Sequence, residues 1–303
     1  MTNFKNNNYW AIILGGSSGM GLATAQKLAS EGMNICILHR DRRSQMKGVE
    51  KVFAGIRAKG VKLQTFNVDA IRLDKMTEVI VNFKAQLQSN EKVRLLLHSI
   101  AKGNLKLLVP LQKTNLPPPN SSNPSETRTV STEELLQKLQ ENIESSQQYH
   151  PDILSRQDFN NTLEAMALSL YDWVNEVWKQ GLFAEDARII GLTSEGNQKA
   201  WRAYAAVSAA KVALEAICRS IALEFAPYGI RCNVVQAGVT DTPSLRMIPG
   251  SETMKAQSKF RNPYGRLTTP EDVANVIYLL CREESAWING AIIPVDGGER
   301  ICT

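Results

Sequence analysis

The chain has 303 residues, 43% hydrophobic and 21% charged, with a net charge of +5. It is long enough to bury one large α/β core, and its composition is ordinary for a globular protein. The scattered basic residues exclude a nucleic-acid surface, no apolar run reaches the ~20 residues that span a bilayer, and five cysteines (36, 218, 232, 281, 302) without metal-ligand or redox spacing argue for a reducing cytoplasm and no metal site.

Residues 1–8 lack the apolar stretch of a secretory signal, so an untargeted chain is expected. Tyr9 to Leu14 is a short apolar run and predicts a buried strand. Gly15, Gly16, Ser17, Ser18, Gly19, Met20 and Gly21 follow, and Leu22 to Ser30 has helical spacing. Strand, Gly-rich turn and helix in that order form a pyrophosphate cradle. The glycines admit the phosphates close to the backbone, and the helix N-terminus offers free N–H groups at its positive end. Met33 to Leu38 predicts the second strand, ending at His39, Arg40, Asp41, Arg42 and Arg43. A cofactor with a free ribose 2′-OH asks for an acid at that tip, whereas Arg40 suits a 2′-phosphate, so NADPH is expected over NADH. His39 is read as a packing or surface residue.

Lys47 to Lys59 predicts a helix and Val61 to Phe66 the third strand. Val68 and Asp69 stand at its end, where a carboxylate meets the adenine amino group. Arg72 to Gln88 is helical, and Val93 to Leu97 is read as a continuous apolar strand that ends in His98, Ser99, Ile100 and Ala101. Alternating strands and helices predict an α/β fold: one doubly wound, Rossmann-type parallel sheet with helices on both faces, spanning 1–303 as a single domain.

An insertion at about 102–155 interrupts the pattern. It holds the Pro117–Pro124 stretch and a capping box, Ser131 to Glu134, that opens a helix to about Gln148. A substrate lid and a dispensable loop are both open readings. Deleting 112–128 separates them, since a lid's loss impairs turnover. Ser155 to Gln180 then puts Phe159, Leu163, Met166, Leu170, Trp173, Val174 and Val177 on one core-facing side. Arg188 to Leu192 predicts the fifth strand.

Ser194 to Lys211 follows that strand and opens a small-residue helix to about Phe225. Tyr204 and Lys211 share one helical face, with ~10 Å of rise between them. A phenol and an ammonium so placed form a proton-donor system in which the cation lowers the Tyr pKa and grips the cofactor ribose. Ile230 to Gln236 predicts the sixth strand, and Gly238, Val239, Thr240 and Thr242 after it suit a carboxamide and a phosphate. Pro243 to Asn262 reads as a mobile second wall of the substrate site. Its Lys255, Lys259 and Arg261 leave open a partner surface and a plain solvated basic face. Pro270 opens a helix, and Ala291 to Val295 is a last strand closed by Asp296, Gly297 and Gly298.

Together the Gly15/Gly19/Gly21 turn, the Asp69 tip, the Ala237–Thr242 segment and the terminal Asp296-Gly-Gly resemble the short-chain dehydrogenase/reductase family over most of the chain. Most of that family would place its catalytic Ser, Tyr and Lys at Ser194, Val207 and Lys211. Here the hydroxyl lies one turn back, at Tyr204. That Tyr–Lys spacing, and His98-Ser99-Ile100-Ala101, look like the enoyl-acyl carrier protein reductase branch. The tail from Asn233 is similar to its NADPH-using members. Many enoyl reductases carry a second Tyr where Ser194 stands, a Thr where Leu14 stands, and a shorter insertion.

The resemblance implies NADPH-dependent reduction of the 2,3 double bond of an acyl thioester, possibly on acyl carrier protein, by a cytoplasmic homotetramer. Tyr204 and Lys211 are the catalytic residues it implies, with Ser194 either a secondary hydrogen-bonder or a strand-end residue. The shift of Tyr204 has a geometric rationale. Charge in enoyl reduction develops on an oxygen two carbons from the hydride acceptor, and three residues displace a helical Cα by ~4.5 Å. A carbonyl or 3-oxoacyl thioester reductase, and a non-catalytic NADPH-binding scaffold, are the alternatives.

Overall fold

In the computed structural model the described residues are Phe4, 8–111 and 149–302. Seven strands form one parallel sheet: β1 (Tyr9–Leu14), β2 (Asn34–His39), β3 (Leu63–Asn67), β4 (Lys92–His98), β5 (Phe183–Ser194), β6 (Arg231–Ala237) and β7 (Ile292–Val295). Their order is β3-β2-β1-β4-β5-β6-β7. The helices are α1 (Gly19–Ser30), α2 (Met46–Arg57), α3 (Leu73–Ala85), α4 (Arg156–Leu163), α5 (Ser169–Lys179), α6 (Ala205–Glu224), α7 (Ser251–Arg261) and α8 (Pro270–Leu280).

Alternation along each strand sorts the core into two layers. Ile12, Leu14, Leu38, Leu96 and Ile189 face α3, α5 and α6, whereas Ile13, Ile35, Ile37, Leu97 and Ile190 face α1, α2 and α8. This is the doubly wound arrangement expected. The strand order reverses between β1 and β4, so the crevice at their carboxyl ends is the ligand site of such a sheet. Gly15 N and Ser99 N both reach back to the β-strand edge, donating to Leu38 O and Leu14 O at 2.9 Å each.

Four expectations need correction. Residues 155–180 are not one regular helix, because a π turn at Glu164–Leu168 separates α4 from α5. The core stripe survives, and Met166, Leu170, Trp173, Val174 and Val177 are buried. β4 is not wholly apolar: Arg94 lies buried within it, donating to Asp186 Oδ2 at 2.6 Å and to Cys281 O at 2.8 Å. β5 starts earlier than its apolar stretch. Asp186, within it, gathers Arg94, Arg188 and Arg231 at the amino edge, and the two buried arginines cap the carbonyl end of α8.

The fourth concerns 243–262, which contains a helix, α7, that its sequence pattern did not announce. Arg261 bridges Glu195 at 3.0 Å and Glu299 at 2.9 Å, and Lys255 pairs with Glu252 at 2.7 Å. Cys36, Cys218, Cys232 and Cys281 are buried in the core. The helix expected from Ser131 to about Gln148, and the lid reading for 112–128, lie outside the described residues. Among the described residues no helix is long and apolar enough to cross a membrane, and no His/Cys/Asp/Glu group has the makings of a metal site.

Candidate active site

Parallel strands deliver their ends to one edge, so the residues singled out after β1 to β6 converge there. Gly15, at φ +85°, and Gly21 close the turn after β1. A Cβ on Gly21 would stand 2.2 Å from Gly15 O, and one on Gly15 would stand 2.8 Å from Ser99 O. No side chain fits at either place. The α1 N-cap, Ser18, makes no side-chain capping bond, and the first turn carries no acid. Its amide groups are therefore open to an anion. Thr242, from beyond β6, lies against Gly19, its Cγ2 3.4 Å from the position of a Cβ there. Ser17, Met20, Ile100, Gly238 and Val239 are half-buried along the same edge, and Ser18 and Ala101 are exposed. The cradle fits a dinucleotide.

At the adenosine end, Arg40 Nη1 donates to Asp69 Oδ2 at 2.9 Å, and Lys102 Nζ reaches the same oxygen at 3.3 Å. Asp69 is half-buried. Burial pushes its pKa up, but Lys102, the Ile71 amide and Arg40 outweigh this and hold it below the ordinary carboxylate value. The adenine ligand and the phosphate ligand read from the sequence are thus paired with each other in the unliganded chain. Val68 N donates to His39 O at 2.9 Å. His39 itself is buried, edge-on to Phe53, with Nδ1 2.7 Å from Asp41 Oδ2. It is a packing residue, as expected.

The nicotinamide end holds Tyr204, Lys211, Ser194 and His98. Tyr204 is the N-cap of α6, with φ −108° and ψ 2°, rather than a residue inside the helix. The preceding Ala203 has φ +62°, a left-handed conformation that costs an alanine roughly 1 kcal/mol or more. That turn aims the ring over Gly196, where a Cβ would stand 2.6 Å from Tyr204 Cε1. Leu105, Leu163, Met166 and Val207 pack with the ring in a small apolar cluster.

Lys211 is buried and donates to Leu192 O at 2.7 Å. The expectation that it lowers the Tyr204 pKa is corrected. Enclosure raises that pKa, and it is Ser194 that works against the rise. Ser194 Oγ is buried, close to Tyr204, and makes no well-formed hydrogen bond. Burial drops Lys211 from its ordinary 10.5 to about 8, with the Glu215 carboxylate opposing the fall. His98, on β4, is held near 3 by burial and by the Lys211 charge, so it stays neutral, 2.8 Å from Ser169 Oγ.

Three features escaped the sequence reading. Ala203 carries a backbone strain that no residue type announces. Glu299 Oε2 accepts from Val239 N at 3.3 Å, so the amide expected to meet the carboxamide already has a partner. Glu215 is a buried acid on the α6 face below Lys211. An acid one turn after the Lys was the available signal for it.

Comparison with known proteins follows from this geometry. A family profile described as "Enoyl-(Acyl carrier protein) reductase" matches residues 143–299, and one described as "short chain dehydrogenase" matches 9–104. The 1-cyclohexenylcarbonyl-CoA reductase of Streptomyces collinus is 35% identical over 39% of this chain and 42% of its own. The 3-oxoacyl-[acyl-carrier-protein] reductase FabG of Aquifex aeolicus (strain VF5) is 24% identical over 95% of this chain and 96% of its own. The chain spans between 42% and 65% of the first curated relatives it matches. Among solved structures, an enoyl-[acyl-carrier-protein] reductase (NADH) from Aquifex aeolicus VF5 superposes with a TM-score of 0.71. That match covers 97% of this chain and 96% of the other at 19% identity, a likeness of fold.

Proposed function

The chain belongs to the short-chain dehydrogenase/reductase family, and on that premise we propose that it reduces the 2,3 double bond of an enoyl thioester with NADPH. The observation that carries this reading is the place of Tyr204: on the N-cap of α6, one turn before Val207, with Lys211 buried below. Gly15, Ser17, Ser18, Gly19, Met20 and Gly21 would hold the pyrophosphate with Thr242. Arg40 would hold the 2′-phosphate, and Val68, Asp69, Ser99, Ile100 and Ala101 the adenosine half. Lys211 would hold the nicotinamide ribose, and Gly238, Val239 and Thr240 the carboxamide. When bound, the nicotinamide supplies the hydride for Cβ.

The protein's own residues manage the charge that develops on the thioester carbonyl oxygen. Tyr204 keeps its proton at working pH, because enclosure raises its pKa, and so donates a hydrogen bond to that oxygen. The apolar cluster of Leu105, Met166 and Val207 excludes water beside the phenol and strengthens that bond. Ser194 orients the phenol from below. Neutral His98 shapes the wall and does not act as an acid. Arg40 is freed for a phosphate once Asp69 turns to the adenine amino group. We place the protein in the cytoplasm as a homotetramer, with acyl carrier protein or coenzyme A as the thioester carrier.

The second reading, 3-oxoacyl thioester reduction, is favoured by the nearly end-to-end match to an enzyme of that name. NADPH oxidation with a 2-enoyl thioester set against a 3-oxoacyl thioester separates the two. Turnover of the oxo substrate alone refutes the proposal. Arg40→Ala should raise KM for NADPH about tenfold and leave NADH unchanged. An equal effect on both cofactors removes Arg40 from the phosphate site.

A further inference from the structure

We propose that Glu215 is a positioning residue, a buried carboxylate that holds the end of β5 and sustains the charge of Lys211 in a dry site. The proposal rests on the reading that Tyr204 and Lys211 act together. Glu215 lies on α6 one turn beyond Lys211 and is 6% exposed. Its Oε1 accepts from Thr193 Oγ1 and from Asn197 Nδ2, both at 2.6 Å. Asn197 Oδ1 accepts in turn from Gln236 Nε2 at 3.2 Å, which brings in β6. Lys211 Nζ grips Leu192 O. Successive turns of α6 therefore hold successive residues of β5, Leu192 and Thr193, and the next residue is Ser194, close to Tyr204.

The hydrogen bonds do not require a charge. A glutamine Oε1 would accept from the same Thr193 hydroxyl and Asn197 amide. A buried carboxylate is costly unless it is compensated, and the two donors that meet Glu215 Oε1, the Thr193 hydroxyl and the Asn197 amide, are both uncharged. Its charge is left to act through space on the nearby cation, Lys211, whose burial it opposes.

The other groups around Lys211 do not replace it. His98 from β4 is neutral, and Tyr204 is a protonated phenol. From β6 comes Gln236, uncharged and bonded to Asn197, and the π turn contributes the apolar Ala165 and Met166. Cys218 lies farther along α6 and is a buried thiol. On the turn after β5, Glu195 is committed to Arg261 and Lys199.

The test is Glu215→Gln in the full chain. Lysine labelled with 13C at Cε is followed by NMR across pH, with the Lys211 signal assigned by its loss in Lys211→Met. The wild-type midpoint is expected near 8, and the Glu215→Gln midpoint about one pH unit lower. Melting temperature and NADPH affinity at pH 6.5 should stay close to wild type. Coincident midpoints overturn the proposal. Should Glu215→Gln fail to fold, Glu215→Asp keeps the charge and shortens the reach. A midpoint near wild type then supports the proposal, and one lowered by a full unit overturns it.

The alkaline limb of kcat/KM should move down with the midpoint. A midpoint that moves while the limb stays fixed refutes the catalytic reading of Lys211 and leaves the Glu215 inference standing.

Discussion

Replacing Lys211 by Met removes the proposed ribose ligand and, on physical grounds, stabilises the fold. Lys211 is buried, and burial lowers its pKa from an ordinary 10.5 to about 8. At about 1.36 kcal/mol per pH unit, keeping the ammonium charged inside the protein costs roughly 3 kcal/mol near neutrality. Losing its hydrogen bond to Leu192 O takes back about 1–2 kcal/mol, so Lys211→Met should gain about 1–2 kcal/mol at pH 7 while turnover collapses. The sign has a pH signature. Below about 8 both the folded and unfolded chains hold the lysine proton, and the penalty is complete. Between about 8 and 10.5 the unfolded chain binds the proton and the folded chain does not, so wild-type stability rises relative to the variant. Urea denaturation of both proteins at pH 7 and at pH 10.5 measures this directly. A variant less stable at pH 7, or a gain undiminished at pH 10.5, refutes the reasoning.

Three further outcomes follow from the same geometry. Tyr204→Phe should cost about 100- to 1000-fold in kcat with NADPH affinity little changed, as measured by steady-state kinetics beside a binding titration. Gly21→Ala places a methyl 2.2 Å from Gly15 O, so cofactor binding should be lost and the melting temperature lowered, at a cost of about 1–3 kcal/mol. Ala203→Gly relieves the left-handed strain at φ +62° and should raise stability by up to about 1 kcal/mol. A lower melting temperature for that variant would show the turn to be unstrained.

The cofactor half of the site was legible because its signals are local. Gly15 and Gly21 mark a turn that no side chain can enter, Gly19 adds a positive φ, and the apolar runs at Tyr9, Met33 and Val93 mark strands whose ends must share an edge. Tyr204 and Lys211 were legible as a pair by helical spacing, though the pair straddles the start of α6 and does not sit wholly within it. Arg94 in β4 was hidden because its compensation, Asp186 and Cys281 O, lies far along the chain. The 243–262 stretch read as mobile because its polar residues give no stripe. Its contacts come from distant segments, with Arg261 bound to Glu195 and Glu299 and Trp201 Nε1 donating to Pro249 O at 3.0 Å.

The sequence by itself determined the doubly wound sheet, its cofactor edge and the pairing of Tyr204 with Lys211 on which the proposed chemistry rests. Each is set by periodicity, turn chemistry or spacing within one segment. Tertiary structure alone decided the electrostatics of that edge. Whether Lys211 lowers Tyr204, what Glu215 is for, and which ligand Arg40 meets first all depend on burial and on partners contributed by other strands. A charge's free energy is set by its surroundings, and those exist only once the chain has folded.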